Sequence, residues 1–551
     1  MSELLTAAQM RAIEQAAIES GEVTGLELME RAGQGVVEAI FEEWPEYANA
    51  PQSASVLCGP GNNGGDGFVV ARLLNSKGWR VQVWFWGDRN KLSADARTNY
   101  NLWETLGDIR DLDDMEFRSE PGAAVYIDAI FGTGLSRAPE GELADFLQFI
   151  GGSGGDWAHY QARLVAIDAP SGLCLDSGRM LRGGDPFPFE TTVPLCRLTV
   201  AFDSPKVGHF LDDGPEACGK LVVKDIGIRK WRETEWKPSM KLGMMRKAAT
   251  RLIVREPLVK DRRLPTFWRE VLNKHLGHKF AYGHALVLTG GSGKTGAARL
   301  AARGALRIGA GLVTLGVPPN AQLEVACQIT ALMMQRVGDA TALEIVSQDE
   351  RLNALCLGPG IGLRRARELV PVALASMCAA VLDADALSAY ADDPTVLFDQ
   401  LHKNVVLTPH GGEFARLFPD IAAKLAEPPT KGPAYSKVDA TREAAARAGC
   451  VVLFKGADTV IADPSGNCSV NAAVYERAAP WLATAGSGDV LAGFVTGLLA
   501  RGFAPMAAAE TGAWLHVECA RAFGPGLIAE DLPEMLPTVL RDLPLGGVSE
   551  S

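Results

Sequence analysis

Short apolar runs rich in β-branched residues recur along this chain, and helix-length segments separate them. In the first half they fall at 54–58, 80–86, 123–130, 164–167 and 198–202, with helical periodicity over 68–77 and 95–106 between them. Parallel neighbours need a crossover of a dozen or more residues, so this rhythm commits the chain to parallel sheets covered by helices on both faces. Two helices over 6–41 precede the first strand, with Met10, Ile13 and Ala17 at helical spacing. The rhythm breaks after residue 228, in a stretch rich in Lys, Arg and Trp and poor in Gly, and resumes at 284–289. An Ala-rich helix over 295–308 and strands at 312–317, 354–357, 379–382, 405–407 and 451–454 follow. For 551 residues we expect two doubly wound α/β domains in tandem, 1–228 and 279–543, with a linker at 229–278 and a tail at 544–551. No short repeat is visible and the glycine loops of the two halves differ, which reads as a fusion of two sites rather than a duplication.

A hydrophobic content of 47% and a mean hydropathy of +0.05 suffice for sizeable cores and exclude a mostly disordered chain. The net charge of -12 argues against a general nucleic-acid binder, which needs basic surface to neutralise phosphate. Ten cysteines lie scattered without a C-x-x-C pair, which argues for reduced thiols and against a zinc module. The opening residues lack a basic region followed by an apolar stretch, and the longest strongly apolar run, 369–382, is short and contains Pro371. We therefore expect a cytoplasmic protein with small-molecule partners, no nucleic-acid or membrane partner, and a homo-oligomeric state.

The first glycine loop, GPGNNGGDG at 59–67, follows an apolar strand and precedes a helix that the pattern starts near Phe68. That is the carboxyl edge of a doubly wound sheet, where backbone N–H groups at a helix N-terminus can meet an anion. Two further strand ends carry acids, DAIFGTGLS at 128–136 and DAPSG at 168–172. A lone strand-end Asp is usually a turn or helix cap, but two beside glycine loops on one edge are better read as one site. Oxygens of Asp128, Asn63 and Ser171 would form a hard-ligand cage for a cation.

GPGNNGGDG, DAIFGTGLSR and AIDAPSGL, in this order, resemble the NAD(P)H-hydrate epimerase domain of the NAD(P)H-hydrate repair family, over about residues 1–227. The resemblance implies a Rossmann-like domain that interconverts the R and S epimers of hydrated NADH and NADPH with a bound potassium ion. Carried over, Asn62, Asn63, Gly64, Gly65, Asp66, Gly132, Thr133, Gly134, Leu135, Ser136, Arg137 and Ala138 would hold substrate. Asn63, Asp128 and Ser171 would hold potassium, and Asp168 would contact the reacting ring, where an Asp is chemically suited to shuttle a proton.

In the second half, GGSGKT at 290–295 departs from the P-loop pattern, since the glycine required five positions before Gly293 is Leu288. It is read as a strand–loop–helix turn for a phosphate or a ring, in which Lys294 could meet a pyrophosphate. GPGIG at 358–362, DADAL at 383–387, LTPHGGE at 407–413, KGADT at 455–459 and TAGSGDVL at 484–491 follow. The small residues at 486–488 expose backbone donors at a positive helix end, where a transferring phosphoryl group can be stabilised, and Asp489 stands ready to move a proton. Read blandly, Asp489 is an N-cap, His410 a turn histidine, and Asp383 and Asp385 strand-end caps.

Together these motifs resemble the ADP/ATP-dependent NAD(P)H-hydrate dehydratase domain of the same family, over about residues 279–543. That resemblance implies a ribokinase-like fold that phosphorylates the hydroxyl of the S hydrate from ADP or ATP and eliminates phosphate, restoring NAD(P)H. Ala297, Gly362, His410 and Asp489 would touch the hydrate. Lys455, Gly456, Ala457, Asp458, Thr459 and Gly488 would bind the nucleotide with magnesium on its phosphates, and Asp489 would transfer the proton. The segment RAAPWLATA at 477–485 differs from the glycine-containing version of the family, which leaves ADP or ATP preference open. A ribokinase-type small-molecule kinase fused to a non-catalytic Rossmann-like module is the alternative that the same anion hole would serve.

Overall fold

The computed structural model describes residues 3–114, 122–151, 161–182, 195–233, 250–253, 272–274 and 277–543; the expected tail and most of the expected linker lie outside these. The chain forms two compact units, Glu3–Ala249 with Glu427–Ser436, and Thr250–Ala426 with Lys437–Ser551.

In the first unit Thr6 and Gln9 form a reciprocal capping box that starts the helix Ala7–Glu19, and Thr24 with Glu27 does the same for Gly25–Glu43. A seven-stranded sheet follows, in the order Ile109–Asp111, Arg80–Phe85, Ser53–Cys58, Val125–Ala129, Leu164–Ile167, Leu198–Phe202, Lys220–Lys224. Its pairings are parallel, as the strand–helix rhythm requires. Val56, Phe68, Ile127 and Val165 are wholly buried between sheet and helices. Each such side chain stabilises the fold by about 1.5–3 kcal/mol. The strand order reverses between Ser53–Cys58 and Val125–Ala129, so the loops that follow these strands flank the crevice where doubly wound sheets bind ligands.

One boundary differs from expectation. The helix starts at Asn62 rather than near Phe68, so most of the glycine loop is helical. Packing overrides the poor helix propensity of glycine here: a Cβ on Gly64 would lie 1.8 Å from the Gly59 carbonyl oxygen, and one on Gly67 2.7 Å from the Ala129 Cβ. These glycines let the helix press onto the sheet.

The first unit also takes in Glu427–Ser436. Ala138 N–H donates to the Thr430 carbonyl at 3.1 Å, Gly432 N–H to Ser136 at 3.0 Å, and Arg182 N–H to Pro429 at 2.8 Å. Ala434 packs with Ala138, Cys174 and Leu181 in a small apolar cluster.

The second unit repeats the winding. His284–Leu288 lies centrally, with Leu312–Val317 and Met333–Arg336 to one side and Ala354–Leu357, Ala379–Leu382, Val405–Leu407 and Val451–Phe454 to the other. Asp458–Ala462 and Cys468–Ala472 extend this sheet antiparallel, and Thr250–Leu252 adds to Cys468–Ala472 in parallel. Above it the helices Gly296–Arg307 and Ser487–Ala500 pack at backbone range, since a Cβ on Gly493 would meet the Ala301 carbonyl oxygen at 2.1 Å. That closeness brings Ala297 and Asp489, in the first turns of the two helices, to the same sheet edge. Among the described residues no helix is long and apolar enough to cross a membrane.

Candidate active sites

In the first unit the acids at two strand ends are fixed by different means. Asp128 is wholly buried; its Oδ2 accepts from the Ser171 N–H at 2.7 Å, and its Oδ1 from the Ser171 hydroxyl at 2.6 Å and the Ile130 N–H at 3.2 Å. Burial raises its pKa, and the Ser171 and Ile130 hydrogen bonds oppose the rise. Ser171 Oγ accepts in turn from the Phe131 N–H at 2.9 Å, so Asp128 and Ser171 stitch the two loops together.

Asp168 sits in the left-handed region at φ 64°, a conformation Asp tolerates better than most residues. Its Oδ1 accepts from Lys206 Nζ at 2.7 Å and its Oδ2 from the Thr133 N–H at 3.1 Å. The pair is desolvated, with side-chain exposures of 1% for Lys206 and 8% for Asp168. Buried His209 supports the turn: its Nδ1 accepts from the Lys206 N–H at 3.0 Å, which leaves Nε2 to donate to the Asp168 carbonyl at 2.8 Å. Burial, aided by Lys206, pushes the His209 pKa down to about 4, so the ring is neutral at physiological pH.

A cavity of about 410 Å³ opens on this edge, walled by Asn62, Asn63, Asp66, Gly132, Thr133 and Asp168. Gly134 also lines it, as do Arg11, Glu14 and Lys206, which the motif reading missed. The remaining expected residues stand elsewhere. Gly64 and Gly65 are packed inside the helix, Asp128 and Ser171 lie behind the wall, and Ser136 and Ala138 bond the 427–436 segment, with Arg137 bridged to Lys431 and Leu135 beside them. Lys206 and His209 follow the next strand end, at 206–209, and their place on the same carboxyl edge was the available signal. Glu14 had none, being one polar position on an amphipathic helix.

The second unit gathers its groups on the matching edge. Lys455 Nζ lies 2.6 Å from Asp383 Oδ1 and 3.8 Å from Glu413 Oε2. A Cβ on Gly488 would stand 3.5 Å from that same Nζ, so the ammonium reaches the start of the Ser487–Ala500 helix. Gly486 precedes this helix in the left-handed conformation at φ 90°, and buried His516 fastens the turn through Nε2 to the Ser487 carbonyl at 2.8 Å. Asp489 is in the helix's first turn. Burial lifts its pKa to about 6, with Asp383, Glu413 and Asp385 adding to the rise and Lys455 opposing it.

His410 caps the helix Gly411–Leu417, accepting from the Gly412 N–H at 3.0 Å while Glu413 accepts from the His410 N–H at 2.8 Å. Asp385 accepts from the Gly362 N–H at 2.8 Å, so the DADAL and GPGIG loops are tied, and Ala297 lies against Gly360. Within KGADT, Gly456 N–H donates to Thr459 Oγ1 at 3.2 Å, Asp458 pairs with Lys437 at 2.5 Å, and the Ala457 carbonyl accepts from Ala473. In GGSGKT the Gly293 N–H and the Ser292 and Thr295 hydroxyls all donate to Glu324, a carboxylate standing where the loop would meet an anion. Neither Lys437 nor Glu324 was singled out from sequence.

The two sheets and their switch-point loops define a tandem α/β protein of two doubly wound units. The family described as YjeF-related protein N-terminus matches residues 25–208, and the family described as NAD(P)H-hydrate dehydratase matches 285–540. A bifunctional NAD(P)H-hydrate repair enzyme of Moorella thermoacetica is 36% identical, over 98% of this chain and 97% of its own. The NAD(P)H-hydrate epimerase of Rhodobacter capsulatus is 42% identical, over 41% of this chain and all of its own (100%). Among solved structures, the ADP/ATP-dependent NAD(P)H-hydrate dehydratase of Bacillus subtilis, co-crystallised with ATP and Mg2+, is 27% identical and covers 51% of this chain and 100% of its own, with a TM-score of 0.41. The chain belongs to the bifunctional NAD(P)H-hydrate repair enzyme family.

Proposed function

We propose that this protein repairs hydrated NADH and NADPH, epimerising the R and S hydrates in the domain at 1–228 and dehydrating the S hydrate in the domain at 279–543 at the expense of ADP or ATP. The observation that carries the reading is the pairing, at each sheet's carboxyl edge, of a Lys–Asp ion pair with the motifs of that half, Lys206 with Asp168 and Lys455 with Asp383. Each pair offers a fixed cation to an anionic ligand and a fixed carboxylate to its hydroxyls.

In the first domain Asp168 faces the ring, and Asn62, Asn63, Asp66 and the 132–134 backbone hold the dinucleotide. Potassium fits beside them: Asp128 accepts only from neutral donors, and the side-chain amide nitrogen of Asn63 is buried without a partner, where the amide oxygen could stand instead. Asp128, Asn63 and Ser171 would hold the ion, which supplies positive charge to an otherwise uncompensated buried carboxylate.

In the second domain Ala297, Gly362 and His410 hold the hydrate, while Lys455, Gly456, Ala457, Asp458, Thr459 and Gly488 hold the nucleotide, with magnesium arriving on its phosphates. Asp489 takes the hydroxyl proton as oxygen accepts the phosphoryl group. The Ser487 N–H donates to the Thr484 carbonyl at 3.4 Å, and the Gly486 and Gly488 N–H groups would meet the charge that develops on that group, a contribution of about 3–4 kcal/mol per donor in comparable sites. The ring nitrogen's lone pair then expels phosphate, leaving an iminium ion, and loss of a proton from the adjacent ring carbon to solvent restores the double bond. The protein is cytoplasmic and homo-oligomeric in this reading.

Incubation with both hydrate epimers tests it. With ADP or ATP, both epimers are consumed and the dihydronicotinamide absorbance returns; without nucleotide, the epimers only interconvert. A stable phosphorylated hydrate would make the second domain a kinase, and consumption of one epimer alone would make the first domain an inert module.

A further inference from the structure

Glu14 and Asp66 enter the first unit's cavity, and neither carboxyl hydrogen-bonds a protein group among the described residues. Asp168, in contrast, has both oxygens engaged, one by a buried ammonium and one by a backbone N–H. Those two contacts fix the Asp168 carboxylate in place, and the ammonium that makes one of them is itself buried. Within one cavity, then, one carboxylate is committed to structure and others are free to trade a proton.

We infer that Glu14, on the helix Ala7–Glu19, is the residue that exchanges a proton with the hydrated ring during epimerisation, while Asp168 and Lys206 position that ring. The inference rests on the epimerase reading above. Burial raises the Glu14 pKa to about 7, Lys206 and Arg11 opposing and Asp168 and Asp203 adding to the rise. The groups facing it are Arg11 on its own helix, Asp66 from Asn62–Ser76, Asp168 and Lys206 from two strand ends, Asp203 beside Lys206, and Asp95 across the cavity. A carboxyl half-ionised at neutral pH is matched to both directions of a proton transfer.

Water adding to an enamine places its hydroxyl on the carbon next to nitrogen, so the substrate is a cyclic carbinolamine. The Glu14 carboxylate takes the hydroxyl proton, the C–O bond becomes a carbonyl, and the C–N electron pair returns to nitrogen, which receives that proton from Glu14. Rotation about the neighbouring C–C bond presents the other carbonyl face, and the same steps in reverse close the ring as the opposite epimer. The proton is borrowed and returned, and no co-reactant is needed.

Glu14→Gln and Glu14→Asp in the full chain test this with hydrated NADH of known epimer ratio, without nucleotide, after subtraction of the uncatalysed rate. The parent is expected to show kcat/KM rising with pH through about 7, since the carboxylate must be free to accept. Glu14→Gln should lose about a hundredfold or more and flatten that limb. Glu14→Asp should keep the limb at reduced rate. ADP-dependent dehydration of the S hydrate should match the parent in both variants, and an unfolding midpoint of the first unit no lower than the parent's reports intact folding there. Glu14→Gln at the parent rate, or slowed with the limb intact, would overturn the role of Glu14 and leave the epimerase reading standing. Absence of epimerisation in the parent would overturn both.

Discussion

The two units solve one electrostatic problem with different scaffolding. Each holds a Lys–Asp ion pair at its sheet's carboxyl edge, fully buried in the first unit and with Lys455 17% exposed in the second, and each keeps a second carboxyl close by whose pKa burial has moved toward neutrality, to about 7 at Glu14 and about 6 at Asp489. In the second unit that carboxyl continues the chain from the glycine turn into the helix, so 486–489 is one contiguous device. In the first unit it comes from a helix that precedes the sheet altogether. Contiguity makes a site readable as a motif, whereas assembly from separate elements does not.

The largest expected effect separates the units outright. Asp489→Asn should lower dehydration by about a hundred- to ten-thousand-fold while epimerisation continues, because only the second carboxyl has lost its proton-accepting form. The parent dehydration rate should rise with pH through about 6, and that limb should vanish in the variant. Dehydration near the parent rate would reduce Asp489 to a helix-end anion.

Next in size, Lys206→Met leaves Asp168 buried without its cation and should cost the first unit about 3–5 kcal/mol, read as a lower urea midpoint for that unit alone. An unchanged midpoint would mean that the pair is better solvated than its burial indicates. Gly64→Ala should destabilise the same unit by about 1–3 kcal/mol, since its Cβ has no space before the Gly59 carbonyl, whereas Gly61→Ala, with nothing near its Cβ, should be mild.

The smallest effect depends on the sign of the linkage. Glu14 is a carboxyl whose folded pKa lies above its unfolded one, so between about 4.5 and about 7 the folded state holds more protons and stability falls as pH rises. Glu14→Gln removes that loss and should stabilise the first unit at pH 8 by roughly 1–2 kcal/mol, with no gain at pH 4, as thermal unfolding at both pH values would show. Equal gains at both would point to packing rather than charge.

The strand–helix alternation made both sheets legible, because a parallel sheet dictates its own connection lengths, and it located the acids at 128 and 168 at strand ends, while the small residues before a helix located Asp489. The start of the Asn62–Ser76 helix was missed because propensity penalises glycine inside a helix, while close packing on the strand beneath requires it. Lys206, His209 and Lys437 act through partners far away in sequence, and such pairings exist only after folding.

The 427–436 segment has a consequence for synthesis. Its hydrogen bonds to Ser136, Ala138 and Arg182, and its Ala434 beside Cys174 and Leu181, belong to a unit whose other described residues end at 233. On the ribosome the first sheet emerges long before that last piece, and at about 5–20 residues per second the wait is on the order of 10–40 s. During it the backbone edge at 136–138 and the apolar cluster stand open to solvent, to chaperones or to the same edge of a neighbouring nascent chain. Ribosome-bound chains stopped before residue 427 should therefore be cut by protease near 136–138, and chains stopped well beyond 436 should not.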